Sequence, residues 1–247
     1  MRVPTHLKTP QGHDLTLGTN CLGPFLFTKL LHPLLEATAK TAPAGAVRVV
    51  WLGSMTIDLE ASKHGMDLGN LDYRKKDEPS NKRYAVSKTG NYFLGAEWAR
   101  RDAGTGIVHL TANPGNLKTD LQRTMGAVTR TILNTTLPFP LLSPKTTSWV
   151  GTGLLDEKTT LTHGAILLPL FQTLLLHDAV YGAYTELWAG LSPAVKPSDS
   201  GRYVIPWGRL GSVRKDIEEA ARPEAEGGLG MAAKFFEYCD EQTKSFA

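Results

Sequence analysis

Apolar and polar residues follow two periods along the chain, one typical of helices and one typical of buried strands. Two short, β-branched and almost wholly apolar runs, 47–52 and 107–112, predict strands covered on both faces, as in a parallel sheet. Helical spacing predicts one helix over residues 82–101 and a longer one over 15–39, whose apolar positions are Leu22, Phe25, Leu26, Leu30 and Leu34. The alternation of helices and strands predicts an α/β fold of the doubly wound type.

The remainder of the chain has weaker patterns. Residues 58–82 are polar and charged and predict a long surface excursion, a kind of segment that often acts as a lid. Residues 122–180 contain many apolar residues, but prolines interrupt every regular period. Further on, we expect a helix over 184–191, a strand over 202–207 and an amphipathic helix over 231–244.

Composition limits the domain organisation and the class of partner. The chain has 247 residues, of which 41% are hydrophobic and 21% charged, so we expect one domain over residues 1–247. The formal net charge of +3 comes from scattered basic residues, which argues against nucleic-acid binding.

Cysteine usage and the longest apolar run bear on the compartment. Cys21 and Cys239 lie far apart without a CxxC or Cys/His pattern, so neither a disulfide framework nor a metal site is predicted, and a reducing, cytoplasmic environment fits best. The longest apolar run, 165–176, is shorter than the ~18–20 residues that span a bilayer. Pro169 and Gln172 also interrupt it, so we expect a soluble protein with no transmembrane segment.

Candidate chemistry centres on Tyr84 and Lys88. Residues four apart lie on one helix face, and a fixed ammonium near a phenol is expected to lower the pKa of the phenol and make it a usable proton donor and acceptor. Taken alone, this spacing is also common on helix surfaces. Ser54 lies just past the first predicted strand, at the sheet edge where ligands bind in such folds, although a serine there also commonly caps the next segment. Asn20 lies inside the first predicted helix, where a buried amide needs partners.

Asn20, Ser54, Tyr84 and Lys88, in this order, resemble the active-site tetrad of the short-chain dehydrogenase/reductase family. The resemblance includes the YxxSK motif of that family at residues 84–88. Any one of these matches is weak, whereas four of them in order on fitting secondary structure are specific.

The resemblance extends over residues 15–121. It includes the helix element NCLGPFL at residues 20–26, and Pro114–Gly115 with Thr119 after the second strand. The wide separation between the serine and the tyrosine, with its charged insertion, looks more like the retinol-dehydrogenase-like branch and its fungal relatives than the compact members.

The resemblance implies a role for each residue of the tetrad. Tyr84 would act as general acid/base and exchange a proton with the substrate oxygen, which Ser54 would also hydrogen-bond. Lys88 would hold the nicotinamide ribose and lower the pKa of Tyr84. Asn20 would hold a water that connects Lys88 to solvent.

The family also implies a nicotinamide cofactor and a reaction. Tyr84, Lys88, Pro114, Gly115 and Thr119 would contact the nicotinamide end of NADP or NAD, and the resemblance slightly favours NADP. The implied reaction is interconversion of a small-molecule alcohol and a ketone or aldehyde by hydride transfer.

The implied fold is a Rossmann-type three-layer sandwich around a parallel sheet. In such a fold a variable region over 122–180 would line the substrate pocket. Residues 181–247 would form a C-terminal extension.

The sequence departs from the family pattern in two places. It contains neither the glycine-rich TGxxxGxG turn nor the Asn-Asn-Ala-Gly strand end, so we expect the fold to lack its first βαβ units, together with the residue that would choose NAD or NADP. Residues 143–164 are irregular and additional to the pattern that the resemblance implies. One hypothesis attributes both departures to an imperfect gene model.

An incomplete sheet would have a physical consequence. The strand over 47–52 would lose neighbours and the adjacent helices would expose apolar stripes, which favours association into a homo-oligomer. An alternative function is therefore a catalytically impaired, truncated member of the family that acts as a non-enzymatic interaction or dimerisation protein.

The missing glycine-rich turn gives the first testable prediction. Because no such turn brings a helix N-terminus against the pyrophosphate, we expect this chain alone to bind dinucleotides weakly or not at all. Calorimetric titration with NADH and NADPH measures this affinity, and micromolar binding of either one would contradict the prediction.

Overall fold

A computed structural model of the chain describes residues 2–119 and 177–247. Its helices are α1 (Leu15–Leu17), α2 (Gly23–Ala39), α3 (Thr56–Leu59), α4 (Ser80–Arg101), α5 (Ala179–Leu191), α6 (Lys215–Ala221) and α7 (Met231–Thr243), and a π-helical turn, Gly18–Leu22, joins α1 to α2. Short 3₁₀ turns lie at Leu68–Asn70, Pro197–Asp199, Glu224–Glu226 and Lys244–Phe246. The strands are β1 (Val47–Leu52), β2 (Ile107–Ala112), β3 (Leu117–Lys118), β4 (His177–Asp178), β5 (Tyr203–Ile205) and β6 (Arg209–Gly211).

The main sheet has the strand order β1-β2-β5-β6. Strands β1, β2 and β5 run parallel, and β6 returns antiparallel to β5. The β1–β2 register runs from Val47 opposite Ile107 to Leu52 opposite Ala112. Parallel neighbours need crossover connections, and α4 supplies the one between β1 and β2. The predicted α/β fold with a parallel sheet is confirmed.

Helices cover both faces of the sheet. On one face a large core joins α2, α4 and α7, with Phe25, Phe93 and Phe235 fully buried within it. On the other face Val108 and Leu110 of β2 pack against Ala189 of α5 in a smaller core. This is the layered arrangement of a doubly wound fold, and β2 at its centre is buried along its whole length.

Strand β1 is less buried than the sequence predicts. It forms an edge of the sheet that the described residues build, and only Val47 and Trp51 are buried along it. Leu52 at its end keeps 43% of its surface exposed. Val49 and Val50 are partly buried, against the larger and the smaller core, so the strand is covered on both faces only incompletely.

The predicted helix over 15–39 has the expected bounds, although the π-helical turn interrupts it. Its apolar stripe is buried only at the beginning, where Leu22 and Phe25 join the core. Leu30 and Leu34 further along are 56% and 64% exposed. The second half of the predicted apolar stripe is therefore exposed on the surface of α2.

Residues 58–82 do not form the loose surface excursion that their polar composition predicts. Met66 and Leu71 are buried in the main core. The side chain of Asn70 accepts backbone hydrogen bonds from Lys75 and Lys76 and donates one to the carbonyl of Lys76. A few apolar residues and one amide thus hold this segment against the core, although its charged residues are typical of a solvated loop.

A buried carboxylate joins the end of α4 to the sheet. Asp102 accepts hydrogen bonds from the rings of His109, on β2, at 2.7 Å and His32, on α2, at 2.8 Å. The Nε1–H of Trp51 points to Nδ1 of His109 at 3.4 Å. Burial raises the pKa of Asp102, but the two imidazole hydrogen bonds outweigh that effect and keep the pKa below its usual value.

The contacts divide the chain into two compact units, one formed by residues 1–115 with 180–247 and the other by residues 116–179. The second unit holds the β3–β4 pair, and most of the expected substrate-side region over 122–180, with the irregular 143–164 segment and the apolar run 165–176, lies outside the described residues.

Residues 181–247, expected as an extension, are integral to the first unit. They supply β5, which pairs with β2, and α7, which packs along α4. Across the parts of the chain that the structure describes, no helix has the length and apolarity to cross a membrane.

Candidate active site

Helix α4 carries both members of the tyrosine–lysine pair into the interior. Its middle is buried on all sides, and Tyr84 and Lys88 are only 7% and 4% exposed. The spacing of one helical turn leaves the Lys88 ammonium 5.7 Å from the centre of the Tyr84 ring. The pair is therefore an internal feature of the fold and not a surface pair.

Ser54 lies just past the carboxyl end of β1, and its side chain acts on the pKa of Tyr84 as a hydrogen-bond partner of the phenol. The preceding residue, Gly53, makes this approach sterically possible. A Cβ atom at Gly53 would lie 2.9 Å from Thr111 Cγ2 and 3.2 Å from the ring of Tyr203. The structure thus brings together the two residues that the sequence predicts to hold the substrate oxygen.

The protonation state of Tyr84 differs from the prediction. Burial raises the pKa of Tyr84 above its usual value, while the hydrogen bond to Ser54 and the charge of Arg2 oppose that increase. The expectation that Lys88 lowers this pKa is wrong for the structure, because the ammonium of Lys88 turns toward a backbone carbonyl. Tyr84 is therefore a protonated phenol here.

That carbonyl belongs to Leu52, the last residue of β1. It accepts one hydrogen bond from Lys88 Nζ and another from Asn91 Nδ2, both at 2.8 Å. Burial lowers the pKa of Lys88 to about 8, and Cys21 and Glu186 oppose this shift. Lys88 is consequently an ammonium poised to lose its proton slightly above neutral pH.

Asn20 contacts the same helix from the π-helical turn, a kind of distortion that often marks functional positions. Its Nδ2 donates to Ser87 Oγ at 2.9 Å, and Ser87 Oγ donates to the backbone carbonyl of Tyr84 at 2.7 Å. Beside it the thiol of Cys21 donates to the carbonyl of Ser87, and burial raises the pKa of this thiol to about 12. Asn20 therefore stabilises the backbone of the YxxSK motif through Ser87.

The Pro114–Gly115 loop follows β2, so it lies at the same end of the sheet as Ser54. Gly115 has a φ of 92°, a conformation that favours glycine, and its amide donates to Asn113 Oδ1 at 3.0 Å. Thr119 belongs to the second compact unit, so its predicted cofactor contact stays a prediction.

A groove of about 490 Å³ runs between α2 and the edge of β1. Asn20, Lys88 and Asn91 form polar positions along it, and α2 contributes the apolar side chains Phe27, Leu31 and Leu35. Among residues 2–119 and 177–247, no cluster of histidine, cysteine and carboxylate side chains is arranged to hold a metal ion.

Arg83 is a positioning residue that sequence reasoning missed. Its guanidinium bonds to Asp14 Oδ2 at 2.7 Å and Asp77 Oδ1 at 2.5 Å, and lies 4.2 Å from the centre of the Tyr73 ring. Asp14 in turn caps α1 by accepting the amide of Leu17. Arg83 thus fixes the beginning of α4, and an arginine in a charged stretch gives no sequence signal of such burial.

Comparison with known proteins identifies the family. No family model matches the sequence. A short-chain dehydrogenase/reductase from Phomopsis amygdali is 38% identical over 243 residues, which cover 97% of this chain and 61% of that protein. The short-chain dehydrogenase/reductase bet4 from Neocamarosporium betae is also 38% identical, over 97% of this chain and 58% of its own length. The chain belongs to the short-chain dehydrogenase/reductase family.

Membership of the short-chain dehydrogenase/reductase family agrees with the fold. An uncharacterised protein from Mycobacterium paratuberculosis has a similar crystal structure, with a TM-score of 0.56, 23% identity, and coverage of 99% of this chain and 63% of that one. The chain spans about three-fifths of the length of the curated family members that it matches. The expected retinol-dehydrogenase-like branch stays a prediction.

The burial of Lys88 gives a prediction about stability. Because its pKa falls from 10.5 to about 8 on folding, the folded state carries the cost of a buried charge below pH 8, and this cost disappears as the pH rises from 8 to 10.5. We expect Lys88→Met to increase the free energy of unfolding at pH 7 by about 1–3 kcal/mol, with a smaller gain at pH 10.

Denaturant unfolding of both proteins at pH 7, 8, 9 and 10 measures this difference. A Lys88→Met variant that is less stable than the wild type by the same amount at every pH would show that burial of the charge costs nothing.

Proposed function

We propose that this chain is an oxidoreductase that interconverts an alcohol and a ketone or aldehyde by hydride transfer with a nicotinamide cofactor. The observation that carries the proposal is the junction of α4 with the carboxyl end of β1, where Lys88 Nζ donates to the carbonyl of Leu52 at 2.8 Å and Ser54 acts on the pKa of the Tyr84 phenol. Lys88 lies one helical turn from the tyrosine, beside the same strand end. Two hydroxyls that converge on one point are suited to bind the oxygen of a carbonyl group.

Each residue has a role in carbonyl reduction. The carbonyl carbon gains a hydride, which the cofactor supplies when bound, and the oxygen gains a proton from the Tyr84 phenol. Its raised pKa supports this direction, because the group is protonated before the reaction. Ser54 holds the oxygen while negative charge develops on it. In alcohol oxidation Tyr84 takes the proton back.

The residues around Lys88 fit the ribose end of the cofactor. Lys88 donates one hydrogen bond to Leu52, and an ammonium carries three N–H groups, so donors are left for ribose hydroxyls. The adjoining groove is polar at this end. Tyr84, Lys88, Pro114 and Gly115 would hold the nicotinamide end, and Asn20 would order the water that links Lys88 to solvent. The choice of NADP over NAD and the contact of Thr119 belong to the same proposal.

A second candidate function is a non-enzymatic role in self-association. The open edge of β1 favours it, because Leu52 and the α2 residues Phe27, Leu30 and Leu34 are all between 43% and 66% exposed there. Exposed apolar surface beside an unpaired strand edge promotes pairing with another chain.

The Tyr84→Phe variant tests the enzymatic proposal. Assayed with a panel of aldehydes and ketones at millimolar NADPH or NADH, it should lose about 10²–10⁴-fold in kcat/KM relative to the wild type, because the proton donor is removed. High cofactor concentration compensates for the weak binding that the sequence predicts.

Tyr92→Phe is the matched control, since Tyr92 lies on the same helix and is buried to a similar degree. It should retain wild-type turnover. Equal turnover by the wild type and Tyr84→Phe would refute the assigned chemistry. No turnover by any variant, together with dimers in sedimentation that Leu34→Glu dissociates, would favour the second function.

A further inference from the structure

Strand β5 is hydrogen-bonded to the residues that follow β1 and β2. The hydroxyl of Tyr203 donates to the backbone carbonyl of Ser54 at 3.0 Å, and the amide of Asn113 donates to the carbonyl of Val204 at 2.8 Å. Asn113 Oδ1 in turn accepts the amide of Gly115. The phenol of Tyr203 thus holds the loop that carries Ser54, and the backbone beside it holds the start of the loop that carries Gly115.

Packing also holds the ring of Tyr203. The side chain is 2% exposed. Its ring lies against Gly53, where a Cβ would come within 3.2 Å of it, and meets the ring of Tyr92 edge-on with 6.1 Å between their centres. Burial also raises the pKa of Tyr203 well above its usual value, so it remains a hydrogen-bond donor.

We propose that Tyr203 is a positioning residue of the reaction: through the carbonyl of Ser54 it sets the place of the Ser54 hydroxyl opposite Tyr84. This inference rests on the proposed function for its catalytic consequence. The positioning itself is a property of the polypeptide and can be measured without activity.

The carbonyl of Ser54 provides a direct reporter. It accepts a hydrogen bond from the hydroxyl of Tyr203 and another from the amide of Ile57, which closes the turn that leads into α3. If Tyr203 orders this carbonyl, loss of the Tyr203 hydroxyl should loosen the turn and leave the strands unchanged. Core packing alone would give a different pattern, because a packing defect at β5 would spread to its neighbour β2.

Hydrogen exchange of the wild type, Tyr203→Phe and Tyr92→Phe tests the positioning. In Tyr203→Phe the ring remains and only the hydroxyl is lost, so we expect about fivefold faster exchange in residues 53–59 and no change in 107–112. Tyr92→Phe should match the wild type in both segments. Unchanged exchange in residues 53–59, or an equal increase in residues 107–112, would overturn the proposal.

A double-mutant cycle with Ser54→Ala tests the catalytic consequence. Loss of one neutral hydrogen bond that orients Ser54 should lower kcat roughly three- to tenfold, with the KM for cofactor unchanged. In the Ser54→Ala background the same change should have no further effect, because the hydroxyl that it positions is absent. Additive effects would show that Tyr203 does not act through Ser54.

The two tests separate the inference from the function. A wild type without activity but with the expected exchange pattern would refute the proposed function and leave the positioning by Tyr203 intact. A wild type with activity, together with a Tyr203→Phe variant whose exchange is unchanged, would refute the positioning by Tyr203 and leave the proposed function intact.

Discussion

The site depends on the junction between helix α4 and the carboxyl end of strand β1. The carbonyl of Leu52 accepts hydrogen bonds from Lys88 and Asn91, and Ser54, two residues further, meets Tyr84. These contacts hold α4 against the end of β1 and so bring Tyr84, Lys88 and Ser54 close together. Without them the three side chains would be separate polar groups, each with a cost of burial and no common target.

Both ends of α4 are fixed by buried charges. At its start the Arg83 guanidinium holds Asp14, and at its end Asp102 lies between two imidazole rings. Between these anchors, burial determines the protonation states: it keeps Tyr84 a phenol and lowers the pKa of Lys88 to about 8. A proton donor with a raised pKa is suited to carbonyl reduction, whereas an exposed pair would titrate as it does in water. Burial of α4 therefore accounts for the protonation states of Tyr84 and Lys88.

The sequence predicts this centre well where local patterns specify it. The bounds of β1 and β2 and the assignment of Tyr84, Lys88 and Ser54 to α4 and a strand end follow from periodicity and motif. It fails where long-range packing decides. The charge pattern of residues 58–82 indicates a loop, but Met66 and Leu71 pack it into the core. Local sequence also does not indicate the roles of Arg83, Asn91 and Tyr203. Each of them bonds to a residue that is distant along the chain, and folding alone brings the partners together.

We propose that these residues form a proton-transfer centre for nicotinamide-dependent carbonyl reduction. The most direct test supplies the chain with a ketone or aldehyde and a reduced nicotinamide cofactor that carries deuterium at both C4 positions, and analyses the alcohol by mass spectrometry. We predict an alcohol with one deuterium at the former carbonyl carbon, transferred from one face of the cofactor. An alcohol without deuterium, or no alcohol at millimolar cofactor from any carbonyl compound, would contradict the claim.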